Sequence, residues 1–290
     1  MVERALAGAP LRADVTLVGA DDQVASISAA RKVGVGEWGR GTGDEGRAVL
    51  AGAIAARSVE EAVRLALAGE ADAIVTGPVH KHALHLAGYR YPGLTEFLGH
   101  LSGDREVAMM LAAGALRVVL VTTHIPLREV PTAVTTDGVV RAGRITERAL
   151  MSWWGIERPR LAVCALNPHA GESGLFGDED ERVLRPAAAT LGAAGPVPAD
   201  TVFVRAVRGE FDAVLAPYHD VGMTAIKVAS FGRAVNVTLG LPVPRTAPDH
   251  GTALDIAGKG VADPSSMREA VKVAAEIVRR VKGEKAILTL

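Results

Sequence analysis

Residues 212–223 read DAVLAPYHDVGM. An apolar run from Ala213 to Pro217, centred on Val214 and Leu215, stops abruptly at Tyr218, His219 and Asp220. A run this short and this apolar suits a strand buried on both faces, as strands of a parallel sheet are. The same design occurs twice upstream: LRVVLVTT ends at His124, and RLAVCALNP ends at His169. Each strand hands a histidine to the loop past its carboxyl end, the edge at which open α/β sheets bind ligands. Neighbouring strands lie about 4.8 Å apart, so three such side chains could converge. Three neutral imidazoles around a divalent ion, with positions left open, would make a catalytic metal centre. Against this stands the ordinary role of a lone histidine beyond a strand, which is capping or solvation. His80, His82, His85 and His100 read that way.

Outward from these strands the chain alternates. ADVTLVGA (13–20), ADAIVTGP (71–78) and AVNVTLG (234–240) read as further strands. SVEEAVRLALAG (58–69) reads as a helix opened by Ser58 and Glu61 at capping-box spacing. DERVLRPAAATLGAAG (180–195) and SSMREAVKVAAEIVRRVK (265–282) are helical as well. The last has Ser266 and Glu269 at its start and an apolar stripe at Val271, Ala274, Ile277, Val278 and Val281. Alternation of this kind predicts an α/β layered architecture with a mostly parallel sheet. Gly34, Gly36 and Gly39 match G-x-G-x-x-G literally. With ISAARKVG before them and GRGTGDEG after, they read as a surface loop rather than a dinucleotide fingerprint.

At 290 residues and 49% hydrophobic, the chain can bury a core of one large or two ordinary domains. Its 32 basic and 33 acidic residues nearly cancel, so no nucleic-acid or membrane-surface partner is expected. No uncharged apolar run approaches the ~20 residues of a membrane helix. The N-terminus lacks the pattern of a signal peptide. One cysteine, Cys164, excludes internal disulfides and fits a cytoplasmic location. Downstream, Lys227, Asn236 and Arg245 stand in otherwise apolar segments. Asn236 interrupts a strand, where an unpaired amide would cost a few kcal/mol. Asp200, in PADTVF, sits at an apparent helix start, where an N-cap is the plain reading.

LNPHAGESGLFG, PADTVF, APYHDVGM, FGRAVNVTLGLPVPRT and DHGTALDIAGKGVADP, in this order, resemble the 4-hydroxythreonine-4-phosphate dehydrogenase family of pyridoxal-phosphate biosynthesis. VTGPVHK and TTHIPL fit too, so the resemblance covers roughly residues 15–280. It implies a fold like that of isocitrate and isopropylmalate dehydrogenases: two α/β domains sharing a mostly parallel sheet, with an active-site cleft between them. Residues 1–93 plus 262–290 would form the first domain. Residues 94–261 would form the second, carrying the metal ligands and a homodimer interface. By resemblance His124, His169 and His219 bind one divalent ion (zinc, magnesium, cobalt or manganese). Thr95, Lys227, Asn236 and Arg245 contact a small phosphorylated hydroxy acid, and Asp200 and Lys227 are the catalytic candidates. His250, Gly251, Thr252, Ala253 and Asp263 would lie near the adenosine of NAD or NADP. The implied reaction is oxidation of the substrate's secondary hydroxyl, followed by decarboxylation.

Two departures bear on this. The family reads G-H-T-E-F where this chain has GLTEF, which puts Leu94 in place of a substrate-contacting histidine. Family members also open with a strand and a G-D-P-x-G-I-G-P-E loop, which the first residues of this sequence, MVERALAGAPLRAD, do not match. Alternative substrates are a four-carbon sugar-acid phosphate (threonate or erythronate 4-phosphate) and a cyclic dihydrodiol. A metal-dependent aldolase or decarboxylase, and a non-catalytic paralogue, are the competing classes.

Overall fold

In a computed structural model of the chain, residues 1–7, 13–39, 43–230, 233–283 and 286–290 are described. Among the described residues eleven strands follow one another: β1 (Ala13–Gly19), β2 (Arg31–Gly34), β3 (Ala73–Val75), β4 (Ala108–Ala113), β5 (Leu116–Leu120), β6 (Leu161–Cys164), β7 (Ala194–Val197), β8 (Ala213–Ala216), β9 (Val235–Leu239), β10 (Arg245–Pro248) and β11 (Ala286–Thr289). They belong to two compact units, Met1–Glu106 with Leu241–Leu290, and Val107–Gly240. These boundaries differ from the expected ones at 93/94 and 261/262. Helix Leu94–Leu101 stays with the first unit, packed on helix Gly43–Leu67, and the second unit opens with β4, which the sequence reading did not anticipate.

The first unit orders its strands β2-β1-β11-β3-β10, with every pair parallel. Helix Ser265–Lys282 covers this sheet with Met267, Val271, Ala274, Ile277 and Val278, all buried. Val281, the expected end of the stripe, is instead exposed. Two capping readings also change. Ser58 lies inside helix Gly43–Leu67, and its hydroxyl donates to the Ile54 carbonyl at 2.8 Å. Ser266 is buried one residue into its helix, and its hydroxyl accepts from the Asp249 N–H. The first of the three glycines, Gly34, ends strand β2, which is paired along β1. Residues 40–42 of the glycine cluster, and Phe231 and Gly232 of the FGRAV motif, lie outside the described residues.

The second unit orders its strands β9-β4-β5-β8-β6-β7. β4 runs antiparallel to both β9 and β5, and the rest is parallel. Its core gathers Leu111, Val118, Leu120, Ala162, Cys164, Val214, Ala216 and Ile226. Val118, Val214 and Leu215 are each 0% exposed, and burying one such side chain stabilises the fold by about 1.5–3 kcal/mol. Helix Thr136–Trp154 starts at Thr135, whose hydroxyl accepts from the Gly138 N–H at 3.1 Å. The expected helix over 180–195 is shorter. A π-helical turn, Asp180–Leu184, leads into Arg185–Leu191, and Ala194–Val197 is strand β7. The chain is thus α/β with a mostly parallel sheet, as the alternation predicts. Among the described residues no helix is long and apolar enough to cross a membrane.

Candidate functional site

Parallel neighbours β5, β8 and β6 end at the same edge of the second unit's sheet, in register Leu120↔Ala216 and Val163↔Leu215. The ladder between the first two runs on past the strands. The Val121 N–H donates to Ala216 O at 2.9 Å, the Thr122 N–H to Pro217 O at 3.2 Å, and the Thr122 hydroxyl to the same carbonyl at 2.7 Å. These bonds fasten the loop before His124 to the chain before His219. The two imidazoles consequently stand 5.4 Å apart between centroids, tilted by 45°. Both line a hollow of about 120 Å³ with Thr123, Tyr218 and Asp220, walled on its apolar side by Leu127 and Val130. His219 is the first residue of helix His219–Ser230 rather than a loop residue.

The Asp220 carboxylate lies 2.7 Å from His219 Nδ1. A carboxylate at Nδ1 favours the proton there, so in the neutral ring Nε2 carries the lone pair available to a proton or a metal. Burial, reinforced by Cys164 and Asp220, raises the Tyr218 hydroxyl's pKa and keeps it a donor. Cys164, fully buried in β6, has its thiol pushed up to about 12 by burial, so it is no nucleophile.

His169 is carried differently. Residues His169 to Ser173 all adopt left-handed backbone angles, with His169 at φ 52, ψ 29. For a residue bearing a Cβ this conformation costs about 1–2 kcal/mol, so four of them persist only where the surroundings impose it. Gly171 at the centre has no such penalty, and a Cβ there would meet Gly177 O at 2.8 Å. The ring of His169 is exposed, 6.4 Å from that of Phe176. The structure therefore pairs His124 with His219 and sets His169 on a separate turn. Among the described residues no group of three or more His, Cys, Asp or Glu side chains is placed to hold a metal ion. The imidazole donors have the right chemistry, but the described geometry gathers two of the expected three.

Other expected site residues in the second unit are dispersed around this edge and beyond. Asp200 is exposed in the first turn of helix Ala199–Val207, where Pro198, not Asp200, is the N-cap. Lys227 is exposed near the end of helix His219–Ser230. Asn236 lies opposite Leu111 in β9, and its Oδ1 is buried with no hydrogen-bond partner among the described residues. Within the first unit, Thr95 is buried in helix Leu94–Leu101, and Arg245 is buried in β10 with Nη2 donating to Thr76 Oγ1 at 2.5 Å. Burial pulls the Arg245 guanidinium down to about 10. His250 to Asp263 form an exposed stretch. His250 Nδ1 lies 2.9 Å from Gly251 O, Gly251 has open space where a Cβ would point, and Ala253 is left-handed at φ 46. Thr252 is half-buried, and the Asp263 carboxylate accepts from the N–H and hydroxyl of Ser265, which lower its pKa. The four bland histidines include His80, an N-cap accepting from the Ala83 N–H, and His100, paired with Asp104.

The sequence reading noted Asp220 beside His219 at the strand tip without giving it a role, and one further residue of this edge escaped it. Asp180 is one of four consecutive acids (Asp178, Glu179, Asp180, Glu181), with nothing to mark it as the buried one.

The family described as "Pyridoxal phosphate biosynthetic protein PdxA" matches residues 14–274. The 4-hydroxythreonine-4-phosphate dehydrogenase of Geobacter metallireducens is 51% identical over 232 residues, which is 78% of this chain and 68% of that protein. The D-threonate 4-phosphate dehydrogenase of Cupriavidus necator is 48% identical over 242 residues, 80% of this chain and 71% of that protein. The crystal structure of 4-hydroxythreonine-4-phosphate dehydrogenase from Klebsiella pneumoniae superposes with a TM-score of 0.77 at 38% identity, covering 96% of this chain and 85% of that one. With nine-tenths of its length matched and dehydrogenases as its relatives, this chain is an oxidoreductase and belongs to the PdxA family of pyridoxal phosphate biosynthetic proteins.

Proposed function

We propose that the chain oxidises the secondary hydroxyl of 4-hydroxythreonine 4-phosphate with NAD or NADP, and that the ketone formed then loses carbon dioxide. The observation that carries this reading is the fastened His124–His219 pair at the carboxyl edge of parallel strands, in a chain 51% identical to a dehydrogenase of that name. The proposal includes a divalent cation on His124, His169 and His219. Donor chemistry and the paired His124 and His219 rings support it. When bound, such an ion polarises a substrate hydroxyl and lowers its pKa.

The chain's own residues do the rest. The Asp200 carboxylate or the Lys227 amine takes the hydroxyl proton as hydride leaves for the nicotinamide. Arg245 supplies a fixed positive charge for phosphate or carboxylate, and the Asn236 amide and Thr95 hydroxyl add neutral hydrogen bonds. The exposed stretch from His250 to Asp263 receives the adenosine. A homodimer whose interface borders the site, and a cytoplasmic location, belong to the same proposal. D-threonate 4-phosphate is the second substrate to test, because a relative 48% identical is named for it and Leu94 takes the place of a hydrogen-bonding histidine.

The test is to offer each substrate with each dinucleotide and measure kcat/KM. Preference for 4-hydroxythreonine 4-phosphate supports the proposal. Preference for the threonate overturns the substrate assignment. Undiminished metal content in purified His124→Ala and His219→Ala would overturn the ligand assignment.

A further inference from the structure

We infer that Asp180 is the positioning residue for His169: its buried carboxylate holds the base of the left-handed turn that presents the imidazole. The side chain is 0% exposed and lies at the start of the π-helical turn Asp180–Leu184. Oδ1 accepts from the Leu166 N–H at 2.9 Å and Oδ2 from the Asn167 N–H at 3.0 Å. These are the last backbone donors before Pro168, which has none, and His169. One strap lies beside the grip: Asn167 Nδ2 donates to Glu179 Oε2 at 2.8 Å. Beyond the turn, the Phe176 N–H closes back on Gly171 O at 3.1 Å. Without a rigid base, four residues with a Cβ would relax out of left-handed angles.

A carboxylate suits this role because both of its oxygens accept. An amide in its place presents an NH₂ to one of the two N–H groups, so a bond becomes a donor–donor contact. A π-helical turn inside a helix is often a sign of a function-bearing distortion, and here it brings Asp180 beneath strand β6's continuation. The turn is structural in its bonds but functional in its cargo, since His169 belongs to the proposed site. The inference rests on that assignment only for its effect on turnover.

The experiment compares wild type, Asp180→Asn, His169→Ala and the double variant. The histidine ring ¹H–¹³C signals are recorded, with those of His124 and His219 as internal references, and turnover is measured alongside. The expected result is that Asp180→Asn shifts or broadens the His169 signal and leaves the other two in place. Turnover is expected to fall about tenfold or more, the order seen when the support of a ligand is removed. In the His169→Ala background the same change should cost nothing further. An unmoved His169 signal in Asp180→Asn, or a full additional loss in the double variant, overturns the inference. If His169→Ala alone keeps wild-type turnover, the site assignment fails, while the ring signal still judges the positioning. Should Asp180→Asn not fold, Asp180→Glu, which keeps both acceptor oxygens on a longer arm, answers the same question. A displaced His169 signal there supports the inference, and a coincident one overturns it.

Discussion

Gly222 sits one turn into helix His219–Ser230, where the helix lies against the sheet beneath the histidine pair. A Cβ at this position would meet Leu120 Cδ2 at 2.7 Å, Ala216 Cβ at 3.0 Å and Val118 Cγ1 at 3.0 Å. Two effects oppose each other in Gly222→Ala. Alanine is the better helix former, by about 1 kcal/mol. Overpacking a filled core costs about 1–3 kcal/mol. Leu120 can yield by rotating its flexible end, but Ala216 and Val118 belong to strands that are 0% exposed there and cannot. The packing cost therefore falls in its upper range, and the net loss should be about 1–2 kcal/mol. Relief requires the helix to lift, which moves His219 away from His124, so turnover should fall as well. Urea unfolding followed by far-UV circular dichroism measures the stability, with exposed Thr224→Ala on the same helix as the control for propensity alone. A Gly222→Ala protein at least as stable as wild type would refute the close packing on which the histidine geometry depends.

Asp212→Asn should destabilise by about 1–2 kcal/mol, because the carboxylate accepts from Arg160 N–H, Nε and Nη2 across the start of β6 and β8. Burial raises the Asp212 pKa, yet the Arg160 hydrogen bonds outweigh it and hold the group below its usual value. The stabilisation is thus present above the ordinary carboxylate pKa of about 3.9 and lost as pH falls below it; acid titration of wild type and variant should converge there. Thr76→Val removes the acceptor of a fully buried Arg245 Nη2 bond and should cost about 1–3 kcal/mol in thermal or urea unfolding; no change would show the bond to be dispensable. Cys164, with its thiol pushed up to about 12, should resist thiol reagents in the native protein at mildly alkaline pH and react only on unfolding, as a colorimetric thiol assay would show.

What the sequence disclosed, and what it hid, follows from which interactions are local. β5, β6 and β8 were legible because short, strongly apolar runs end in polar residues, and the register of parallel neighbours then brings their ends together. β4 was not, since Ala108–Ala113 has alanine and methionine and no β-branched residue to mark a strand. Ser58 carried a capping signature, but the alanine-rich segment before it extends the helix back to Gly43, and the hydroxyl turns to the Ile54 carbonyl instead. The left-handed turn at His169 could not be read at all. Its conformation contradicts the preference of four of its five residues and is imposed from Asp180, eleven positions downstream in the chain. The three strand ends are also built differently: β5 and β8 are laced together past their ends, and β6 leaves through a turn of another hand.

The most direct test of the proposed site is formation of reduced nicotinamide, followed by absorbance, from 4-hydroxythreonine 4-phosphate with NAD and with NADP. It compares wild type with folded His219→Ala, each with and without added divalent cation. Cation-dependent turnover with one of the two dinucleotides is expected in wild type, and none in His219→Ala. Turnover in His219→Ala equal to wild type, or a folded wild type that reduces neither dinucleotide with this substrate, would contradict the proposal.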